Sequence, residues 1–167
     1  MKHFINLKDV PAKDLRKILN DAKKRKQNRK KLSTLEFDKG LPLKGKLLIQ
    51  MFEKSSLRTR LSFYLAIKQL GGGTITLRSN ELHLGQGGET LEDTAKILST
   101  YGDGFMLRTD SDKKIDEFKK HLSIPIIKFG ISFISLMNDK EISSGVISIF
   151  FINSKYLFND NCNLLGI

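Results

Sequence analysis

Lys46-Leu-Leu-Ile-Gln-Met-Phe-Glu-Lys-Ser-Ser-Leu-Arg-Thr-Arg60 changes within a few residues from an apolar run to a stretch of hydroxyls and arginines. Its first half, Lys46 to Phe52, is short, apolar and without alternation, as suits a strand buried on both faces of a parallel sheet. Ser55-Ser56 then opens a helix that carries Leu61, Leu65, Ile67 and Leu70 and stops at Gly71-Gly72-Gly73. A strand running directly into a helix is the first half of a β-α-β unit. Thr74-Ile-Thr-Leu77 supplies the second strand.

The same rhythm extends in both directions. Downstream of a loop from Arg78 to Glu89, Thr90 caps a predicted helix with Leu91, Ala95, Ile97 and Leu98 on one stripe, ending near Gly102. Gly104 to Arg108 reads as a third strand, Ile115 to His121 as a short helix, and Ile124 to Ile127 as a fourth strand. Upstream, Asp9 caps a helix with Pro11 in its first turn, running to about Arg29, followed by a linker with Gly40, Pro42 and Gly45. Strands alternating with helices at this spacing predict an α/β fold, a parallel sheet covered by helices on both faces.

At 167 residues the chain has room for one well-buried domain and not for two of ordinary size. No run of about 18 apolar residues is present, so a membrane span is not expected, and the apolar stretch at the start is too short for a secretory signal. Cys162 is the sole cysteine, which rules out an internal disulfide and a cysteine-cluster metal site and fits a reducing, cytoplasmic setting. The net charge of +11 draws heavily on Lys23, Lys24, Arg25, Lys26, Arg29, Lys30 and Lys31. That run is either a solvated helix end, favoured by the helix dipole, or a nucleic-acid patch. Without interleaved aromatic residues the first reading is preferred.

Residues 128–167 have a different character. They contain no arginine, alanine or proline, and their three lysines balance three acidic residues. The segment resembles translation of an A/T-rich wrong frame, with a genuine divergent tail as the alternative.

The chemistry concentrates in Phe52-Glu-Lys-Ser-Ser-Leu-Arg-Thr-Arg60. A strand-to-helix turn aims unpaired backbone N–H groups at one point, and the helix dipole adds partial positive charge there. Ser56 and Thr59 contribute hydroxyls, and Arg58 offers a planar fork suited to phosphate oxygens. The alternative is that Ser56 simply caps the helix and the arginines are surface charges. Gly-x-x-x-x-Gly-Lys-Ser/Thr is absent, so this is not a nucleotide P-loop. Arg108 ends its strand where ligands of open α/β sheets bind, although a solvated edge charge would look the same. Lys54 is expected to tune the local potential or to pair with Glu89 or Glu92. His121 reads as a surface residue.

The stretch is similar to the Phe-x-Lys-x-Ser-Thr-Arg-Thr-Arg signature of ornithine carbamoyltransferases, with Phe52, Lys54, Ser56, Arg58, Thr59 and Arg60 in place and Leu57 where threonine is usual. His83-Leu-Gly-Gln-Gly-Gly-Glu-Thr-Leu-Glu-Asp-Thr-Ala95, Gly104 to Arg108 and Ser123 to Ile127 resemble further stretches of that family in order and spacing. The resemblance implies that residues 1–127 are an incomplete carbamoyl-phosphate-binding domain. Ser56, the Leu57 backbone, Arg58 and Thr59 would hold the phosphate, and Arg108 the carbamoyl and phosphate oxygens. Arg58 and Arg108 would be the catalytic cations. His83 would act across a subunit interface of a homotrimer, or be merely an exposed loop histidine.

The implied reaction moves a carbamoyl group from carbamoyl phosphate to ornithine, in arginine biosynthesis, without metal or organic cofactor. No membrane or nucleic-acid partner is implied. Neither His-Pro-x-Gln nor the Asp-x-x-x-Ser-Met-Gly and His-Cys-Leu-Pro motifs of the ornithine-binding domain occur, so an inactive fragment is expected. Lys54, and the absence of lysine from residues 79–95, argue against aspartate carbamoyltransferase. An acetylornithine-type enzyme and a non-catalytic anion- or nucleic-acid-binding module stay open.

Overall fold

The computed structural model describes residues 3–54, 56–78 and 90–129. Helix α1 (Ala12–Asn28) precedes strand β1 (Leu47–Phe52), and then helix and strand alternate: α2 (Leu57–Gln69), β2 (Gly73–Arg78), α3 (Leu91–Tyr101), β3 (Gly104–Arg108), α4 (Asp112–His121) and β4 (Ile126–Lys128). The four strands form one parallel sheet in the order β2-β1-β3-β4. Phe4 extends it by one residue beyond β4, donating to the Ile126 carbonyl at 2.9 Å and accepting from the Lys128 N–H at 2.8 Å.

Alternation along the strands divides the core in two. Leu48 and Met106 meet Ile18 and Ala22 of α1, Phe63 and Ile67 of α2, and Leu70 just past its end, on one face. Ile49, Met51, Phe105 and Leu107 meet Ala95 and Leu98 of α3 and Ile115 and Phe118 of α4 on the other. The expected helical cover on both faces is therefore present. Phe63, Phe105 and Phe118 are fully buried, each stabilising the fold by about 2–3 kcal/mol on transfer from water.

Local chemistry sets the boundaries. Gly71, at φ +88°, ends α2 in the left-handed conformation that costs glycine little. Its N–H donates to the Lys68 carbonyl, and the Gly72 N–H to that of Ile67. Helix α4 begins at Asp112, three residues before the sequence expectation, because the Ser111 hydroxyl accepts from the Lys114 N–H at 3.2 Å. Strand β4 begins at Ile126, two residues later than expected. Pro125 has no N–H to give a ladder and contributes only its carbonyl, which accepts from Phe105. The core continues past Ile127: Phe129 is buried, with its ring 5.3 Å from that of Phe63, edge to face.

The basic run is partly structural. Asp38 is buried and paired with both Arg25 and Arg29, which pins the segment after α1 against it. Arg29 also donates to the carbonyls of Ser33 and Glu36, both at 3.0 Å. Lys23, Lys24, Lys26, Lys30 and Lys31 are exposed, as a solvated helix end requires. The run is not one helix, because α1 ends at Asn28 and a 3-10 turn spans Arg29–Lys31.

Candidate functional site

Strand order creates the site. The chain leaves β1 for β2 on one side and returns to β3 on the other, so the C-terminal ends of β1 and β3 part at a topological switch point, where open α/β sheets bind ligands. Phe52 closes β1 and is paired in register with Arg108 at the end of β3. Helix α2 begins five residues after Phe52, with its N-terminus at that crevice.

Ser56 occupies the N-cap position of α2 with extended backbone, but its side chain caps no helical N–H. Its hydroxyl donates instead to Thr59 Oγ1 at 2.8 Å. The contrast within the molecule is direct: Thr90 accepts from the Asp93 N–H and Ser111 from the Lys114 N–H, so α3 and α4 carry side-chain caps. The capping alternative for Ser56 is thereby set aside. The first turn of α2 keeps the positive end of its dipole facing the crevice.

Thr59 is buried and receives a second hydrogen bond, from Arg108 Nη1 at 3.0 Å. With two donors on its oxygen, the Thr59 hydroxyl proton is left to donate outward. Ser56, Thr59 and Arg108 form one hydrogen-bonded chain from the helix start to the end of β3. Burial lowers the Arg108 guanidinium pKa and Asp110 opposes that fall, but an arginine remains a cation throughout the range where proteins fold. Leu57 and Arg58 occupy the exposed first turn, with the Leu57 side chain in solvent and its backbone at the helix start.

Ion pairs brace this edge. Glu53 accepts from the Thr109 hydroxyl and from Lys114 Nζ, and its N–H donates to the Arg108 carbonyl at 3.1 Å. Thr109, itself buried, accepts from the Ser111 N–H. The turn after β1 and the turn after β3 are thus stitched together, which fixes the spacing between α2 and Arg108. Sequence reasoning passed over Glu53, Thr109 and Lys114, whose partners lie 56 and 61 residues apart. Lys54 pairs with Asp110, not with Glu92, which is bonded to Lys96 at 2.7 Å. Glu89 and His83 lie outside the described residues. His121 is half-buried, 4.0 Å from Glu92.

A hydroxyl pair, a half-buried guanidinium and an uncapped helix start, assembled at a sheet switch point, suit a small phosphorylated anion. The match to the family model for the aspartate/ornithine carbamoyltransferase carbamoyl-P binding domain runs over residues 2–132. The chain belongs to this family.

Its carbamoyltransferase relatives include the ornithine carbamoyltransferase of Brucella ovis, 46% identical over 127 residues that make up 76% of this chain and 39% of the relative. That of Rhizobium johnstonii is 46% identical over 126 residues, 75% of this chain and 40% of the relative. Among solved structures, the anabolic ornithine carbamoyltransferase of Campylobacter jejuni superposes with a TM-score of 0.65 at 34% identity, over 78% of this chain and 40% of that one. The catalytic subunit of M. jannaschii aspartate transcarbamoylase gives 0.66 at 35% identity, over 78% and 42%. The chain thus spans about two fifths of the length of the carbamoyltransferases it matches. Among the described residues no helix is long and apolar enough to cross a membrane, and no group of His, Cys, Asp or Glu is arranged to hold a metal.

Proposed function

We propose that these 167 residues bind carbamoyl phosphate as part of an ornithine carbamoyltransferase. The observation that carries the reading is the Ser56–Thr59–Arg108 hydrogen-bonded chain at the uncapped start of α2. In this reading Ser56, the Leu57 N–H, Arg58 and Thr59 hold the phosphate, and Arg108 reaches the carbamoyl and phosphate oxygens. Attack by the δ-amine of ornithine forms the new C–N bond, and the C–O bond to phosphate breaks as the tetrahedral centre collapses. The amine loses its proton and phosphate leaves. Arg58 and Arg108 act as catalytic cations by stabilising the negative charge that gathers on these oxygens, and the site supplies position more than covalent chemistry.

Ornithine is favoured over aspartate as acceptor by Lys54 and by the lack of lysine in residues 79–95, and the Brucella and Rhizobium relatives carry ornithine in their names. His83 would serve a neighbouring site in a cytoplasmic homotrimer of the intact enzyme. These 167 residues hold no His-Pro-x-Gln for the carbamoyl group and none of the acceptor-binding motifs. They are therefore expected to bind carbamoyl phosphate without forming citrulline.

Calorimetric titration with carbamoyl phosphate, paired with a citrulline assay in the presence of ornithine, tests both statements. Binding without turnover supports the reading. Turnover would show that the chain carries a complete site, and absence of binding would remove the phosphate cradle altogether.

A further inference from the structure

The same register that places Arg108 beside Phe52 places Arg78 on its other flank. Phe52 pairs with Arg78 of β2 and with Arg108 of β3, so one row across the sheet's C-terminal edge reads Arg78, Phe52, Arg108. Adjacent strands lie about 4.8 Å apart, which sets the two arginine Cα atoms roughly 10 Å from each other. Side chains alternate faces along a strand. Leu77 and Leu107 belong to the core under α3 and α4, so Arg78 and Arg108, one residue further on, leave the sheet on the opposite face. That is the face α2 covers, and Phe52 packs in its core. The start of α2, which follows directly from β1, is therefore flanked by one arginine from each neighbouring strand.

We propose that Arg78 is a second guanidinium arm of the phosphate site, contacting the dianion from the β2 side while Arg108 contacts it from the β3 side. This rests on the phosphate reading above and adds to it a residue that lies outside the Phe52 to Arg60 stretch. A phosphate dianion presents oxygens in several directions, and a donor fork on each flank serves more of them than one can. Arg78 is exposed at the end of β2, and thermal unfolding of each variant separates loss of the fold from loss of the ligand.

The test is titration of the purified chain with inorganic phosphate at low and at about 0.5 M salt, where screening removes contributions from distant charges. Arg78→Gln, Arg78→Lys, Arg58→Gln and Lys113→Gln are compared with the unaltered chain, Lys113 being an exposed cation of α4. Arg78→Gln is expected to weaken phosphate binding by about tenfold at both salt levels. Arg78→Lys should recover part of the loss, and Lys113→Gln should change affinity by less than about twofold. If Arg78→Gln binds like the unaltered chain while Arg58→Gln does not, Arg78 is no part of the site and the cradle stands. A loss that vanishes at high salt reduces Arg78 to long-range attraction and overturns the contact. No phosphate binding by the unaltered chain overturns both readings.

Discussion

Arg108 Nη1 donates to the Thr59 hydroxyl across 3.0 Å, joining the end of β3 to the first turn of α2 over 49 residues of sequence. The same oxygen accepts from Ser56 at 2.8 Å, so one buried hydroxyl orients two of the residues assigned to the phosphate. Thr59→Val keeps the shape and removes the oxygen. It should weaken carbamoyl-phosphate binding by about tenfold and cost roughly 1–2 kcal/mol of stability, as expected when hydrogen bonds to a buried group are lost. Thr59→Ser should retain most of the affinity. Calorimetric titration and thermal unfolding of both variants check this, and equal affinity for the valine and serine forms would show the hydroxyl to be irrelevant.

Arg58 and Arg60 lie two residues apart on α2, about 200° round the helix from one another. Arg58 is exposed at the crevice end, and Arg60 is half-buried. Arg58→Ala should abolish carbamoyl-phosphate binding, while Arg60→Ala should cost clearly less. Comparable losses from the two would mean that the helix does not present Arg58 to the ligand.

Gln50 sits in the middle of the central strand, fully buried, with neither its amide oxygen nor its amide nitrogen hydrogen-bonded. A buried polar group without partners costs about 1–3 kcal/mol. Gln50→Met fills the same volume with no such demand, so it should raise the unfolding temperature by several degrees and leave ligand affinity intact. An unchanged or lower unfolding temperature would show that the amide finds partners in solution.

His3 accepts the Ile126 N–H through Nδ1 at 3.3 Å, which only a deprotonated Nδ1 can do. Burial first, and then the charge of Lys119, hold its pKa below the usual 6.5. The unfolded chain therefore binds this proton more readily than the folded one, and stability rises with pH across the interval between the lowered value and 6.5. Read downward, acidification below 6.5 destabilises the fold until His3 itself is protonated. His3→Asn, whose side-chain oxygen can stand in for Nδ1, should flatten the stability profile between about pH 7 and pH 5. Denaturant titrations across that interval decide the matter, and parallel profiles for the two proteins would exclude His3 as the source.

Much of the scaffold could be read along the chain because its signals are local. An unbroken apolar run marks a strand buried on both faces, and the ends of β1, α2, α3 and β3 fall within about two residues of expectation. The boundaries that moved did so for local reasons too: the Ser111 cap lengthened α4, and Pro125 shortened β4. What could not be read was partnership. Lys54 found Asp110 and not Glu92, and Glu53 found Thr109 and Lys114. Each of those pairs spans more than fifty residues.

By itself the sequence determined the α/β alternation and the hydroxyl-and-arginine turn after β1, because hydrophobic period, capping chemistry and turn residues act over a few positions. Only the tertiary structure decided that β1 lies between β2 and β3, that Arg78 and Arg108 flank Phe52, and that Ser56 turns its hydroxyl to Thr59 in place of capping α2. Strand order is set by how two apolar faces are buried at once, and that balance involves the whole chain.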